Sequence, residues 1–363
     1  MKRRRFLTDA ALGVAAAGAA QLPMPAIAQG RRQLRMVTTW PKDFPGLGTG
    51  ARRLADSITA MSGGKLTVNV YAAGELVPPF ESFDAVSGGA ADMYHAIEHY
   101  WQDRSRAFNF FAAVPFGLTA SEQAAWIYEA GGQALWDELS AGFNVKPFQA
   151  GNTGVQMGGW FNRQINGLGD FKGLKMRMPG LGGEVVTRMG AKSVTLSGSQ
   201  IFPALHSGAI DATEWGGPWN DLELGLYKVA KHYYYPGFHE PGTGLSVGIN
   251  LKLWESLGAD ERALIGHAAA SENARATAEY NANNAIALET LRRKHNIDLR
   301  RFPDDVLGAA GAAAGEVVGG LAKGDALTGR IYESFRNFRK KVLAWSHLGD
   351  QSFTNARLIP FKY

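Results

Sequence analysis

The sequence of 363 residues contains no cysteine, so disulfide bonds, cysteine-ligated metal sites and thiol nucleophiles are excluded. Familiar catalytic motifs are also absent: there is no H-E-x-x-H pair, no phosphate-binding loop, and no dinucleotide fingerprint in a strand-to-helix context. Beyond the first 28 residues, we predict no stretch long and apolar enough to cross a membrane. These absences argue against a disulfide scaffold, a nucleotide-dependent enzyme and an integral membrane protein.

Residues 1–28 are predicted to be an export signal. A basic start is followed by an apolar stretch from Ala10 to Ala20, which is too short to span a bilayer, and by the small residues Ala26-Ile27-Ala28. The start RRRFL fits the twin-arginine pattern, which exports folded proteins. We therefore expect cleavage after Ala28 and a periplasmic mature protein.

The charge of the chain is concentrated in that leader. The whole sequence has a formal net charge of +5 and a pI of about 9.3. The leader contributes four basic residues and one acidic residue, so the mature chain carries only +2. A nearly neutral chain lacks the basic surface that binds nucleic acid, so no nucleic-acid partner is expected.

Apolar segments of two kinds alternate along the mature chain. Residues 34–39, 66–71 and 91–95 have the pattern of strands, whereas 51–61 and 80–87 have helical spacing. This alternation predicts an α/β fold with largely parallel sheets. Longer helical patterns follow at 254–296 and at 331–345, the second with a basic face that we interpret as solvated.

An internal repeat predicts two lobes. Residues 85–92 (AVSGGAAD) resemble 204–211 (ALHSGAID), and each combines a helix end, a glycine stop and a strand entry. In open α/β sheets, ligands bind at the carboxyl ends of strands. The first copy leads to His99-Tyr100 and the second to Glu214-Trp215, so we expect these residues at a cleft.

Three polar segments are candidates for that cleft. Glu214 lies against Trp215 in DATEWGGPWND, where a carboxylate needs a partner. In GLKMRMPG, strand alternation puts Arg177 on the face opposite the apolar residues, either as an exposed arginine or as an anchor for a carboxylate. In GNTGVQMGGW, Asn152 and Gln156 offer amide oxygens for a cation, or simply serve a turn and an ordinary hydrogen bond.

Two further patterns are interpreted as coincidences. Residues 244–248 (GLSVG) match the G-x-S-x-G nucleophile motif, but the apolar run continues through Ile249 as a strand. His239-Glu240-Pro241 is not a zinc motif, because proline breaks the helix that such a motif requires.

Together, GLKMRMPG, SGAIDATEW, GNTGVQMGGWF and YYYPGFHEPG resemble solute-binding proteins of tripartite ATP-independent periplasmic (TRAP) transporters. GNTGVQMGGWF, DATEWGGPWND and YYYPGFHEPG closely resemble the subgroup that binds 2-oxo monocarboxylates such as pyruvate. The resemblance covers essentially the whole mature chain. The resemblance implies a two-lobed α/β binding-protein fold with a cleft, a long connecting helix and extra C-terminal helices.

The resemblance also implies a ligand site without an organic cofactor. Its arginine would bind the substrate carboxylate, and a sodium or calcium ion would bridge protein and substrate. The matching residues are Arg177, Asn152 and Tyr100 for the substrate; Gln156, the Glu214 side chain and the Trp215 carbonyl for the metal, with Gln156 and Trp215 also near the substrate; and Phe238 or Glu240 for the wall or the metal shell.

The implied lobes can be placed on the sequence. Lobe I takes residues 29–155 with part of 240–300, lobe II takes 156–240, and 300–363 form C-terminal helices. The tail after Gly349 suggests a homodimer, and the resemblance makes the membrane subunits of a TRAP transporter the other partner.

Two alternatives remain open at this point. One is a calcium-dependent receptor for lactate or another hydroxy acid on the same scaffold. The other is a metal-dependent enzyme acting on 2-oxo acids, which would need an acid-base group near the metal. Tyr100, His95 and His99 are available, but none is paired with a nucleophile in the sequence pattern.

Overall fold

Two mixed β-sheets organise the chain in a computed structural model, which describes residues 31–360 and 362. The predicted leader and its cleavage site lie outside the described residues. The strands are β1 Arg32–Thr38, β2 Leu66–Tyr71, β3 Met93–Ala96, β4 Val145–Asn152, β5 Gly159–Phe161, β6 Lys175–Arg177, β7 Lys192–Val194, β8 Ala212–Thr213, β9 His232–Tyr235, β10 Gly244–Asn250 and β11 Asp298–Arg301.

Helices cover and connect these sheets. They are α1 Leu47–Met61, α2 Ser82–Ser87, α3 Ala120–Glu129, α4 Gly132–Ala141, α5 Gly180–Arg188, α6 Gly198–His206, α7 Pro218–Leu224, α8 Leu251–Ser256, α9 Ala259–Lys294, α10 Asp304–Gly320, α11 Ala326–Ser346 and α12 Ser352–Ala356. Short 3₁₀ turns lie between them, including Glu98–Trp101 directly after β3. The α/β class expected from the sequence is confirmed.

The strand directions differ from the largely parallel sheets that we expected. The first sheet has the order β2-β1-β3-β10-β4 and the second β11-β9-β5-β8-β6-β7. Among the nine strand pairs that the described residues form, five are parallel and four are antiparallel. All four antiparallel pairs contain β5 or β10, the strands by which the chain enters the second sheet and returns to the first.

The repeat seen in the sequence has the same local structure in both sheets. Ala91 N–H donates to Ala85 O at 2.9 Å, and Ile210 N–H donates to Ala204 O at 3.2 Å. The aspartate that ends each copy accepts a hydrogen bond from the neighbouring strand, from Arg35 N at 2.8 Å for Asp92 and from Lys175 N at 2.9 Å for Asp211. Each copy therefore fixes the entry of a strand, β3 or β8, next to its parallel partner.

The long helix α9 contacts both halves of the structure. Its Glu272 receives two hydrogen bonds from Arg53 of α1, beside the first sheet. Further along, Tyr280 Oη donates to Asn220 of α7 at 2.8 Å, and Asn284 Oδ1 accepts from Trp219 N at 3.0 Å. Leu257 and Gly258 interrupt the helical stretch expected over 254–296, so α8 and α9 are separate. We keep the lobe boundaries given above as a proposal.

One helix corrects the expectation that no mature segment could span a membrane. By length and composition alone Asp304–Lys323 qualifies, with a mean hydropathy of 1.2. Alanine and valine raise its hydropathy without large side chains. Val306, Ala310, Ala313, Ala314 and Val317 are buried, as in a helix that packs on a protein core. We therefore interpret α10 as a packed helix of the fold.

A buried carboxyl group lies in the core of the first sheet. Glu98 is fully buried and accepts a hydrogen bond from Tyr94 Oη at 2.7 Å. Burial raises the pKa of Glu98 to about 7, from 4.5. The folded protein therefore binds a proton at Glu98 more tightly than the unfolded chain does, and this contribution to stability declines as the pH rises from about 4.5 to 7.

We predict that Glu98→Gln reduces the loss of folding stability at high pH. Between pH 5 and 8 the variant should lose less free energy of unfolding than the parent protein, by about 1–3 kcal/mol, because it cannot ionise at this position. Urea denaturation at several pH values measures the difference. Glu289→Gln, at an exposed glutamate of α9, is the control. Equal pH dependence in the parent and in Glu98→Gln would contradict the assignment.

Candidate functional site

Two chain segments that cross between the sheets form one wall of the site. The first runs from the end of β4 to β5 and carries Gln156; the second runs from β9 to β10 and carries Glu240. They pair through Gln156 N to Glu240 O at 3.2 Å and Gly237 N to Gln156 O at 3.1 Å. This pairing fixes the backbone around both residues.

The side chain of Gln156 is held with its oxygen free. Its Nε2 donates to Glu240 Oε2 at 2.8 Å and to Thr243 Oγ1 at 2.8 Å, and Thr153 Oγ1 lies at 3.1 Å. Oε1 is buried and has no hydrogen-bond partner among the described residues. Since three acceptors surround the amide nitrogen, they determine which way the amide points and leave its oxygen without a partner.

Arg177 and Glu214 meet at the ends of neighbouring strands of the second sheet. Arg177 of β6 is in register with Thr213 of β8, and Glu214 follows directly. Arg177 Nη1 donates to Glu214 Oε1 and, at 3.2 Å, to the Glu214 carbonyl. Both side chains are only 1% exposed. The alternative of an exposed arginine is therefore wrong, because Glu214, the Leu196 carbonyl and the Trp215 ring lie around the guanidinium.

This ion pair leaves one nitrogen of the arginine without a partner. Arg177 Nε donates to Leu196 O at 3.2 Å, whereas the buried Nη2 has no acceptor among the described residues. The guanidinium also lies 5.0 Å from the ring centroid of Trp215. Burial acts to lower the pKa of Arg177, but Glu214, Tyr100 and Glu240 together outweigh burial, so the pKa is raised. The site thus holds a permanent cation with a free donor.

The second oxygen of Glu214 faces a histidine that our sequence analysis dismissed. Glu214 Oε2 lies 3.4 Å from His239 Nε2, and both His239 ring nitrogens are buried without a hydrogen-bond partner in the described part of the chain. Together with Glu240, these residues offer one ligand atom each within 4.8 Å of one another. The sequence does place His239 next to Glu240, two residue types that can bind a metal. We rejected this pair because a zinc motif requires a helix, but the pair lies on a segment that crosses between the sheets, where that requirement does not apply.

Glu240 and His99 lie on the same side of the site. Burial, reinforced by the charge of Glu214, raises the pKa of Glu240 to about 7. His99 Nδ1 is 3.7 Å from Glu240 Oε1, and burial together with the Arg177 charge lowers the pKa of His99 to about 3. His99 is therefore neutral at pH 7. In contrast, His95 accepts a hydrogen bond from Trp40 Nε1 at 2.8 Å inside the first sheet and is structural.

The other predicted site residues have more varied surroundings. Tyr100 follows His99, and burial raises the pKa of its phenol to about 12 although Arg177 acts to lower it. Phe238 is 4% exposed and stacks on Phe116 with ring centroids 5.6 Å apart. Asn152 is fully buried, but its amide already donates to Gln123 Oε1 at 3.0 Å and accepts from Gly154 N at 2.9 Å. A role for Asn152 at the ligand stays a prediction.

The donor atoms fit a hard cation. Gln156 Oε1 and Glu214 Oε2 are buried and unpartnered, and within residues 31–360 no donor pairs with the Trp215 carbonyl. A buried acceptor without a partner costs about 1–3 kcal/mol. An amide oxygen, a carboxylate oxygen and a main-chain carbonyl are ligands that calcium and other hard cations prefer. The arrangement can therefore hold a cation beside an arginine that still has a donor to give.

Comparison with known proteins places the chain in a family. Residues 36–325 match the family described as bacterial extracellular solute-binding protein, family 7. The chain is 39% identical over 360 residues to the monocarboxylate 2-oxoacid-binding periplasmic protein of Nostoc sp., covering 98% of each.

Two solved structures are similar throughout. A TRAP periplasmic solute-binding protein from Pseudoalteromonas atlantica, with bound sodium and pyruvate, has a TM-score of 0.87 and 35% identity over 90% of this chain and 99% of that one. A TRAP transporter solute-binding protein from Bordetella bronchiseptica, a mixed-occupancy dimer with copurified calcium and picolinate, has a TM-score of 0.88 and 32% identity over 90% and 97%. The resemblance inferred from the sequence motifs is therefore confirmed, and the chain belongs to the family 7 bacterial extracellular solute-binding proteins, which include these TRAP receptors.

Proposed function

We propose that this protein is a periplasmic receptor that binds a small 2-oxo monocarboxylate, such as pyruvate, together with a metal ion. It would deliver the ligand to the membrane subunits of a TRAP transporter. The observation that carries the proposal is the buried Arg177, whose free Nη2 lies in the same site as the unpartnered oxygens of Glu214 and Gln156. An arginine with a free donor suits a carboxylate, and the oxygens suit a cation.

Charge balance links the two ligands. Glu214 already neutralises Arg177, so an incoming carboxylate would leave two anions beside one cation in a buried site. A bound cation offsets that excess, which is the chemistry the metal supplies here. Arg177, Tyr100 and Asn152 would hold the ligand; Gln156, Glu214 and the Trp215 carbonyl would hold the metal; Phe238 and Glu240 would complete the wall.

The ligands of the two similar structures narrow the chemical class. Pyruvate and picolinate both carry a donor atom on the carbon next to the carboxylate, a keto oxygen in one and a ring nitrogen in the other. Such a pair of donors can chelate one cation. Lactate has a hydroxyl at the same place, so a hydroxy-acid receptor is the second candidate on this scaffold.

We further propose that residues 1–28 are a cleaved twin-arginine signal.

We also propose that the protein has no catalytic activity. The structure does bring His99 and His239 into the site, which an enzyme acting on 2-oxo acids could use. However, among the described residues neither histidine is hydrogen-bonded to a nucleophilic side chain. If NMR detects conversion of pyruvate by concentrated protein, the receptor assignment is overturned.

We predict that pyruvate binding depends on the metal. Calorimetric titration of metal-stripped mature protein should give at least about tenfold weaker binding than in sodium or in calcium, because the bare site would hold uncompensated anions. Propionate, which lacks the second donor atom, is the control ligand and should gain little from either ion. Equal pyruvate affinity with and without metal would contradict the bridged site.

Arg177→Lys should weaken pyruvate binding by about 100-fold. Lysine keeps the charge but cannot donate to Glu214 and to the ligand from one rigid plane. The matched control is Lys175→Ala on the same strand, where the side chain is 45% exposed and binding should change by less than about twofold. Unaltered pyruvate affinity in a folded Arg177→Lys variant would rule out the anchor.

We also propose a homodimer formed through the C-terminal tail. Large apolar side chains at the end of the chain are exposed, including Trp345 at 69%, Leu348 at 73% and Phe353 at 67%. An apolar patch of this kind is typical of an interface. Light scattering should give twice the chain mass for the mature protein and the single chain mass for a variant that ends at Ser346. A monomeric mature protein would contradict the proposal, and retained pyruvate binding would show that the shortened chain folds.

A further inference from the structure

The loop that follows β8 contains a peptide group whose N–H is hydrogen-bonded to a buried carboxylate. Glu214, Trp215, Gly216 and Gly217 connect β8 to α7, which begins at Pro218. Gly216 N–H donates to Oδ1 of Asp221, in the first turn of α7, at 3.4 Å. In the described part of the chain, Asp221 makes no hydrogen bond to Arg177 or to Glu214.

Asp221 is itself held firmly. Its Oδ2 accepts from Trp160 Nε1 at 2.9 Å and from Tyr233 Oη at 2.6 Å. Trp160 and Tyr233 are opposite each other on β5 and β9 and stack with ring centroids 4.0 Å apart. Asp221 is 1% exposed, and both aromatic side chains are fully buried. The carboxylate is thus attached to two strands of the second sheet, with an oxygen left for Gly216.

The planar peptide bond transmits this constraint to the other side of the loop. Trp215 C=O and Gly216 N–H belong to one trans peptide group, so they point in opposite directions. While Asp221 holds the N–H, the carbonyl must point away from Asp221. That carbonyl has no donor in the described part of the chain. A rotation of this peptide group would move the oxygen that we assign to the metal.

We propose that Asp221 is a positioning residue for the metal: by holding Gly216 N–H, it orients the Trp215 carbonyl as a ligand. This inference depends on the proposed function, because it requires a metal at Glu214, Gln156 and Trp215. Outer partners that orient metal ligands typically change metal affinity by about 10- to 100-fold when they are replaced.

Two variants separate orientation from charge. In Asp221→Asn, the amide oxygen is expected to accept the hydrogen bonds from Trp160 and Tyr233. The amide NH₂ would then lie opposite Gly216 N–H, and because both groups are donors, the peptide group would lose its acceptor. Tyr233→Phe keeps the charge of Asp221 but removes a hydrogen bond that fixes the carboxylate. The matched control is Tyr94→Phe, which removes the same kind of bond, from a buried tyrosine to the buried Glu98 in the first sheet.

The measurement is calorimetric titration of calcium, and separately of sodium, in saturating pyruvate. It is run at pH 8, where Asp221 is ionised although burial raises its pKa to about 7. Near-UV circular dichroism checks that each variant is folded. We expect the metal Kd to rise about 10- to 100-fold in Asp221→Asn, about 3- to 10-fold in Tyr233→Phe, and by less than about twofold in Tyr94→Phe.

Each other outcome has a definite meaning. Weaker metal binding in Asp221→Asn with no change in Tyr233→Phe would indicate an effect of charge alone and would overturn the positioning role. Equal shifts in Tyr233→Phe and Tyr94→Phe would reduce Asp221 to a stabilising residue. If Asp221→Asn does not fold, the two tyrosine variants decide the question. Absence of metal-dependent pyruvate binding in the parent protein would instead refute the proposed function.

Discussion

The buried ion pair between Arg177 and Glu214 is the interaction on which the rest of the site depends. Each group needs the other as its partner at 1% exposure, because a lone buried charge costs several kcal/mol. Their strands are neighbours in the second sheet, so the sheet itself maintains the pair. Since the pair is already neutral, an anionic ligand would leave the site with a net negative charge unless a cation binds with it.

The other polar groups come from places where the chain leaves one sheet for the other. Gln156 and Glu240 lie on the two crossing segments and are joined by their backbones and side chains. The site is therefore built largely on segments that link the two sheets rather than on one sheet alone. His239 and Thr243 lie on the same segment, which makes residues 236–243 contribute more to the site than any single strand does.

Local patterns predicted the repeating unit well and the crossings poorly. The repeat at 85–92 and 204–211 gave the entries of β3 and β8, because a helix end and a glycine stop act on their neighbours in sequence; the aspartate that ends each copy then accepts a hydrogen bond from the adjacent strand. The strand through Ser246 excluded a nucleophile elbow for the same local reason. The antiparallel directions of β5 and β10 were missed, since strand direction depends on which sheet the chain enters next. His239 was missed because its partner, Glu214, is distant in sequence.

The sequence by itself determined the α/β class, the two related strand entries, the family resemblance and the set of residue types that a carboxylate and a hard cation need. It also placed Arg177 on the face of β6 opposite the methionines. Only the tertiary structure decided that this face is buried, that Arg177 pairs with Glu214, and that Asp221 lies behind the Trp215–Gly216 peptide. Periodicity gives the direction in which a side chain leaves its own strand, whereas its charge partner and its solvent exposure are set by segments that arrive from elsewhere in the chain.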